Sequence, residues 1–215
     1  MTRAPAVAGA RAGGMRPRPR GLPADMKIAV IGTGRIGGTL GGKWRAAGHD
    51  VVYGSRNAPG SGPGGAPAVG VGEAIALADV VVLAVPGEAA ADVIGANGSA
   101  LQGKVVIDAA NRMGRPELNT KAAVKAAAPG ARYVRAFNTL GWENFADPVP
   151  SAALFFAADP PARQVAEELI AGVGLEPIFV GDADAAGTVD GVLPLWIALV
   201  KQHGGDRRLA LRVVR

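Results

Sequence analysis

The stretch Lys27-Ile28-Ala29-Val30-Ile31-Gly32-Thr33-Gly34-Arg35-Ile36-Gly37 decides the fold. Its first five residues form a short apolar run, which is typical of a strand buried on both faces. Its last six match the pattern G-x-G-x-x-G where a strand ends and a helix begins, and this context matters because the chain has 32 glycines. In a dinucleotide-binding turn the first glycine permits the tight turn, the second lets a pyrophosphate approach the main chain, and the third lets helix and strand pack closely. We therefore expect a dinucleotide to bind at Gly32, Thr33, Gly34, Arg35, Ile36 and Gly37.

The remainder of the chain alternates short apolar runs with helical stretches. Further strands are predicted at residues 50–53, 79–85, 104–108, 133–137, 152–158 and 176–180, and helices at residues 35–47, 88–94, 118–127, 162–171 and 185–203. The last helix is expected to kink at Pro194, and the glycine- and proline-rich residues 57–72 are expected to form a loop without regular structure. Such alternation produces right-handed crossovers and a parallel sheet covered on both faces. The predicted fold class is α/β: a Rossmann-type doubly wound, mainly parallel sheet with a small C-terminal helical extension.

The composition fits a globular protein and removes several classes of site. Hydrophobic residues make up 49% of the chain, which excludes a wholly disordered protein. The absence of cysteine excludes disulfides and thiolate chemistry, and two histidines are too few for a multi-histidine metal site, so we expect no metal. No uninterrupted apolar run reaches the ~18 residues of a membrane helix, and the N-terminus lacks a signal-peptide pattern. We therefore expect a cytoplasmic protein without a membrane partner.

The positive charge is concentrated at the two ends of the chain. The total is +5, whereas residues 1–26 and residues 201–215 each carry a net charge of +4, so the segment between them is acidic. We expect both basic ends to fray, and nucleic acid is not an expected partner. The predicted organisation is a disordered basic leader at residues 1–25, a nucleotide-binding domain at residues 26–150, a C-terminal extension at residues 151–205, and a basic tail at residues 206–215.

The end of the second strand favours NADP over NAD. An NAD-selective enzyme places Asp or Glu there, which accepts a hydrogen bond from the ribose 2′-hydroxyl and would repel a 2′-phosphate. This strand is instead followed by Ser55, Arg56 and Asn57. A guanidinium presents a fork of donors that suits phosphate. We therefore predict that these residues bind NADP(H), with Ser55 and Arg56 on the 2′-phosphate.

The carboxyl ends of the other strands supply the remaining predicted cofactor contacts, since ligands of open α/β sheets bind there. These residues are Ala84, Val85 and Pro86 on the adenosine side, then Asn111, and Ala136, Phe137 and Asn138 towards the nicotinamide. Asn138 has the alternative role of a turn-former. No catalytic acid or base is identified, because His49 is expected on the surface at the far rim of the sheet and His203 follows the last helix. An acceptor that takes a hydride without a positioned acid, such as a flavin-like ring, fits this absence.

Several stretches resemble the NADPH-dependent reductases of the deazaflavin coenzyme F420. They are residues 26–37, Gly54-Ser55-Arg56, Val82-Leu83-Ala84-Val85-Pro86, residues 135–145 and Leu195-Trp196-Ile197. The resemblance implies a C-terminal extension that completes a cleft for the deazaflavin above the nicotinamide and that contributes to a homodimer. It also implies direct hydride transfer between NADP(H) and the deazaflavin, with the protein positioning two rings. Two other hypotheses stay open: an NADPH reductase of another acceptor, such as an ordinary flavin or a quinone, and a non-catalytic NADP-binding regulatory protein.

Overall fold

The computed structural model describes residues 25–214. The predicted leader lies outside this range except for Asp25, and Arg215 at the end of the predicted tail also lies outside it.

The described residues form one sheet with helices on both faces. Its strands are β1 Lys27–Ile31, β2 Asp50–Gly54, β3 Gly60–Ser61, β4 Pro67–Val69, β5 Val80–Leu83, β6 Val105–Asp108, β7 Arg132–Arg135, β8 Ala153–Ala158 and β9 Glu176–Gly181. The helices are α1 Arg35–Ala46, α2 Val71–Leu77, α3 Gly87–Leu101, α4 Lys121–Ala127, α5 Trp142–Ala146, α6 Arg163–Val173, α7 Ala186–Asp190 and α8 Val192–Gln202.

The sheet has the order β3-β4-β2-β1-β5-β6-β7-β8-β9. Neighbouring strands from β4 to β7 run parallel, as do β8 and β9, whereas β7–β8 and β3–β4 are antiparallel. The chain leaves β1 for β2 on one side and returns through β5 on the other, so the strand order reverses at β1. Ligands of open α/β sheets bind at such a switch point. The predicted Rossmann-type, mainly parallel sheet is confirmed.

Two apolar layers hold the helices to the sheet. Trp44 of α1 packs on one face, where its indole Nε1 donates to the carbonyl oxygen of Leu169 in α6 at 2.9 Å. Ile75 of α2, Ile94 of α3 and Val124 of α4 pack on the opposite face. The central strands β5 and β6 are buried along their whole length, which explains why they are almost uniformly apolar.

The expectation of an irregular loop at residues 57–72 is wrong. The strands β3 and β4 form a short antiparallel hairpin there, and β4 extends the sheet by pairing Ala68 with Tyr53 of β2. The helix α2 begins at Val71 and was not predicted. Pro67 is tolerated because it is the first residue of β4. Small residues are required here, since a Cβ on Gly62 would lie 2.5 Å from the Tyr53 ring.

The closing helix is divided at Gly191, and not at Pro194 as predicted. The helix α7 ends at Asp190 and α8 begins at Val192. Pro194 lies in the first turn of α8, where a missing amide hydrogen leaves no bond unmade. The predicted apolar face is present, since Val189, Leu193, Trp196 and Val200 are buried while Val192 and Leu199 are half-buried. By length and composition alone the helical segment Ala183–Gln202 is apolar enough to cross a membrane. Within the fold, 33% of its most apolar part is buried.

The expectation of a frayed basic end is wrong for residues 206–211. This segment returns across α5 and β8, where the amide of Ala153 donates to the carbonyl oxygen of Leu211 at 2.8 Å. The indole Nε1 of Trp196 donates to the carbonyl oxygen of Leu209 at 2.8 Å. Arg207 pairs with Glu143 at 2.9 Å, and Arg208 pairs with Asp147. Arg207 and Arg208 of the tail are therefore partners of acidic residues in and beside α5.

Candidate functional site

The glycine turn between β1 and α1 has the geometry that the sequence predicted. Gly32 has φ +113°, and a Cβ there would lie 2.5 Å from the carbonyl oxygen of Ala84. A Cβ on Gly37 would lie 2.2 Å from the carbonyl oxygen of Gly32, so only glycine lets α1 approach the turn this closely. A Cβ on Gly34 would meet no other part of residues 25–214 within 4 Å beyond its own chain neighbours and helix backbone. The first and third glycines are required by the fold, whereas the second faces open space.

The N-terminus of α1 is available to an anion. The first turn of an α-helix leaves its amide hydrogens without intrahelical acceptors, and the helix dipole favours negative charge there. Within the described part of the chain no side chain caps Gly34, and the first turn of α1 contains no acidic residue. The amides of the turn are therefore not committed to a protein carboxylate.

A cleft of about 270 Å³ opens in front of this turn. It is lined by Gly34, Arg35, Ile36, Ala84, Val85, Pro86, Ala109, Ala110 and Asn111. Seven of these nine were predicted from the sequence as cofactor contacts, and they come from the carboxyl-terminal sides of β1, β5 and β6. Ala109 and Ala110 were missed, although their position directly after Asp108 of β6 is the same signal that identified Asn111.

The predicted phosphate-binding residues lie at the same edge of the sheet but do not border the cleft. The amide of Gly32 donates to the carbonyl oxygen of Gly54 at 3.2 Å, which joins the glycine turn to the end of β2. Ser55 follows immediately, and its Oγ accepts from the amide of Asn57 at 3.1 Å. The Arg56 side chain is exposed, and it forms no ion pair within residues 25–214. Ser55, Arg56 and Asn57 have no carboxylate that would repel a phosphate beside the turn.

The residues after β7 are buried. Phe137 has φ +63°, an unusual conformation for an aromatic residue, and its ring packs edge-on against Trp44 and Phe145 with centroids 5.6 and 5.8 Å away. Ala136 is also buried, so neither side chain lines the cleft. Asn138 is 3% exposed, and its carbonyl oxygen accepts from Nδ2 of Asn111 at 2.8 Å. Contact of these three residues with a nucleotide stays a prediction.

A group of buried charged residues, which sequence reasoning missed, lies beneath the cleft. We call Asp108, Arg135 and Asp190 the charge cluster. Arg135 is fully buried; its Nε donates to Oδ1 of Asp190 at 2.7 Å, and its Nη1 lies 3.3 Å from Oδ1 of Asp108. The only signal in the sequence is that two apolar strands, β6 and β7, each end in a charged residue. The partner from α7 lies 55 residues beyond Arg135 and leaves no local pattern.

Neutral donors satisfy the remaining oxygens of the charge cluster. Oδ2 of Asp108 accepts from the Thr120 amide at 2.6 Å, the Thr120 hydroxyl at 2.8 Å and the Tyr133 hydroxyl at 2.9 Å. Burial and the adjacent Asp108 carboxylate raise the pKa of Tyr133 well above its usual value of 10.0, so this hydroxyl stays protonated as a donor. Asp190 accepts from Nδ2 of Asn138 at 3.1 Å and from Nδ2 of Asn119 at 2.8 Å. The C-terminal extension is thereby tied to the ends of β6 and β7.

A second cavity of about 390 Å³ lies between the loop after β6 and the closing helices. Its lining includes Asp190 of the charge cluster and Asn119, which donates to Asp190. The lining also contains Glu117, Lys121, Asp184 and Pro194. Lys121 and Asp184 form an ion pair of 3.0 Å, in which the Asp184 side chain is 91% exposed. The charge cluster therefore contacts the lining of both cavities, the cleft through Arg135 and the second cavity through Asp190.

The two histidines do not reach the cleft. His49 is 5% exposed, so the expectation of a surface position is wrong; its Nδ1 accepts from the amide of Met26 at 3.4 Å, before the amino-terminal end of β1. His203 is exposed at the end of α8. Within residues 25–214 there is no group of three or more His, Cys, Asp or Glu side chains that could hold a metal ion. The cleft thus offers main-chain amides, apolar contacts and the polar side chains of Arg35 and Asn111.

Known proteins with similar sequences and structures were compared with this chain. The sequence profile of the coenzyme F420-dependent NADP oxidoreductases matches residues 27–112. A protein from Arthrobacter sp. FB24, named as a candidate F420-dependent NADP-reductase, is 26% identical with a TM-score of 0.75, and the match covers 88% of this chain and 100% of that one. A hypothetical protein from Sinorhizobium meliloti is 31% identical with a TM-score of 0.64, and the match covers 75% of this chain and 88% of that one.

Residues 27–112 belong to the coenzyme F420-dependent NADP oxidoreductase family. Members of this family are NADP-dependent oxidoreductases, and this chain is one of them. A reductive aminase from Aspergillus terreus, solved with NADPH and ethyl levulinate, has a TM-score of 0.63 at 20% identity. That match covers 84% of this chain but 63% of the aminase, and it shows a shared fold only.

Proposed function

We propose that this protein transfers a hydride between NADP(H) and a deazaflavin of the coenzyme F420 type. The observation that carries the proposal is the glycine turn, where Gly32 and Gly37 are forced by close packing while Gly34 faces the open cleft. No contact within residues 25–214 requires glycine at position 34, whereas a diphosphate on the amides of α1 does require it. This cradle fits the nucleotide that the family uses.

Each part of the nucleotide has proposed partners among the predicted residues. The glycine turn from Gly32 to Gly37 holds the pyrophosphate on the free amides of the first turn of α1, and Ser55, Arg56 and Asn57 receive the 2′-phosphate. Ala84, Val85 and Pro86 form the apolar wall on the adenosine side, and Asn111 with the segment Ala136, Phe137 and Asn138 bounds the nicotinamide end. The nucleotide supplies or accepts the hydride when it is bound, and the protein orients the two reacting rings and excludes water. No side chain is assigned as a catalytic acid or base.

The second cavity is the proposed location of the acceptor. It is bounded by α7 and α8, so the C-terminal extension contributes one wall, while residues 116–121 of the nucleotide-binding part contribute the other. The charge cluster fixes these two walls relative to each other through Asp190 and Arg135. An acceptor ring held there would lie beyond the carboxyl end of β6, and residues that follow β6 also line the nucleotide cleft.

The charges of the second cavity favour a second candidate, in which an ordinary flavin is the acceptor. Glu117, Asp184 and Asp190 contribute three carboxylates to the lining, whereas Lys121 contributes one cation. A strongly anionic acceptor is repelled by such a lining, and a less charged flavin is repelled less. Because the two acceptors differ in negative charge, the acidic lining should affect their binding to different extents.

Oxidation of NADPH in the presence of each acceptor tests the proposal. We expect NADPH absorbance to fall with a deazaflavin present, with stoichiometric formation of the reduced deazaflavin. Turnover with a free flavin alone would select the second candidate, and nucleotide binding without any turnover would select the non-catalytic regulatory protein. The proposed homodimer and cytoplasmic location are tested by light scattering on the purified protein and by cell fractionation.

A further inference from the structure

The charge cluster holds more negative than positive charge. Asp108, Arg135 and Asp190 contribute two carboxylates and one guanidinium, and all three side chains are buried. The groups that hydrogen-bond to the carboxylates, namely Thr120, Tyr133, Asn119 and Asn138, are formally neutral. The cluster therefore carries a formal net charge of −1. A buried charge is screened by solvent and salt much less than an exposed one.

The charge cluster contacts the wall of the cleft through the guanidinium of Arg135. Nη2 of Arg135 donates to Oδ1 of Asn111 at 2.7 Å, and Nη1 donates to the carbonyl oxygen of Ala110. Asn111 and Ala110 both line the cleft. A single layer of residues thus separates the charge cluster from the space in front of the glycine turn.

The nicotinamide end of the proposed nucleotide lies on this side of the turn. Arg56 follows β2, on one side of β1, whereas Asn111 follows β6, beyond β5 on the other side. A dinucleotide with its 2′-phosphate at Arg56 and its pyrophosphate on the turn must direct its second half past the end of β5 towards the end of β6. The nicotinamide ring is then the part of the nucleotide nearest to the charge cluster.

The charge of that ring changes during the reaction. When NADPH gives up a hydride, two electrons and one proton pass together to the acceptor, and the ring changes from neutral to +1. A negative charge behind the cleft wall attracts the oxidised ring and leaves the reduced ring almost unaffected. Arg35, an exposed cation that lines the cleft, opposes this attraction, but it is present in the wild type and in every variant below, so its effect cancels when they are compared.

We propose that Asp190 is a positioning residue whose charge lowers the free energy of bound NADP⁺ relative to bound NADPH. The charge cluster thereby favours NADPH as the hydride donor, so the C-terminal extension influences the direction of the reaction. This inference rests on the proposed nucleotide site and is independent of which acceptor the protein uses.

Dissociation constants of both nucleotide forms, measured by calorimetry without an acceptor, test the inference. For Asp190→Asn we expect the ratio Kd(NADP⁺)/Kd(NADPH) to rise about four- to sixteenfold, which is the effect of unit charges roughly 10 Å apart at an effective dielectric constant of about 20–40. Asp184→Asn is the matched control, because it removes a carboxylate of the same extension whose side chain is 91% exposed. Its ratio should equal that of the wild type.

Asn111→Asp covers the case in which Asp190→Asn does not fold, as judged by circular dichroism. The added carboxylate would face Nη2 of Arg135, which already donates to Oδ1 of Asn111. It adds a negative charge at the cleft wall, so the same ratio should fall. A ratio unchanged in every folded variant, or equal weakening of both nucleotide forms, would overturn the inference while leaving the nucleotide site intact. If the wild type binds neither form, the proposed function itself is wrong.

Discussion

A valine at position 34 should separate nucleotide binding from folding. Gly34 has φ −72° and ψ −172°, an extended conformation that valine adopts readily, and a Cβ there has open space around it. The folding cost is limited to the poorer N-cap, about 1 kcal/mol. For a chain of this size we expect the melting temperature to fall by about 2–4 °C.

The same substitution should abolish binding of both NADPH and NADP⁺. The valine methyl groups would project into the cleft in front of the α1 amides, where the pyrophosphate is proposed to lie. Steric overlap costs about 1–3 kcal/mol, and the lost charge-assisted hydrogen bonds cost about 1.5–3 kcal/mol each. Because about 1.4 kcal/mol corresponds to a tenfold change, we expect affinity to fall at least about 100-fold in a calorimetric titration.

Two other glycines of α1 provide the controls. Gly42 is exposed, and a Cβ there likewise meets nothing within 4 Å among the described residues outside its own helix. Gly42→Val should therefore leave affinity unchanged. Gly37→Ala should instead destabilise the fold by roughly 1–3 kcal/mol or more, because its Cβ would lie 2.2 Å from the carbonyl oxygen of Gly32. Wild-type affinity in Gly34→Val would refute the assignment of the glycine turn as the nucleotide site.

Three further substitutions test other parts of the account. Arg56→Ala should raise KM for NADPH much more than KM for NADH, since Arg56 is assigned to the 2′-phosphate; equal effects in steady-state kinetics would contradict that assignment. Arg135→Met should lower the free energy of unfolding by about 3–5 kcal/mol, because it leaves two buried carboxylates without their cation. Urea denaturation measures this loss, and a loss below about 1 kcal/mol would contradict the prediction. Tyr133→Phe should cost about 1 kcal/mol at neutral pH. Since the pKa of Tyr133 is raised in the folded state, the native protein binds this proton more tightly than the unfolded chain does, so wild-type stability should fall as pH rises above 10.0. Tyr133→Phe should lose less stability over that range, and identical slopes in the two proteins would argue against the buried hydroxyl.

The regular part of the fold was predictable because local sequence specifies it. The strands β1, β5 and β6 are uninterrupted apolar runs, and each is bounded by a residue that ends a strand or starts a turn. The hairpin of β3 and β4 was not predictable, since glycine and proline disfavour strands and the pairing of Ala68 with Tyr53 is a tertiary interaction. The C-terminal tail was misjudged for the same reason, because Glu143 and Asp147 lie far from Arg207 and Arg208 in the sequence.

The candidate site was predictable where chemistry depends on main chain at the end of a strand. The glycine pattern and the residues after β5 and β6 identified most of the cleft lining. Phe137 follows β7, as the sequence indicated. Its positive φ and the burial of its ring in the core are not signalled by any sequence pattern. The charge cluster needed the structure, since the pairing of Arg135 with Asp190 joins distant segments.

Calorimetric titration of the wild-type protein with NADPH and with NADH tests the central claim most directly. The account predicts that NADPH binds at least about tenfold more tightly, because a charge-assisted contact of Arg56 to the 2′-phosphate is worth about 1.5–3 kcal/mol. Equal affinity for the two nucleotides, or no heat with either, would contradict it.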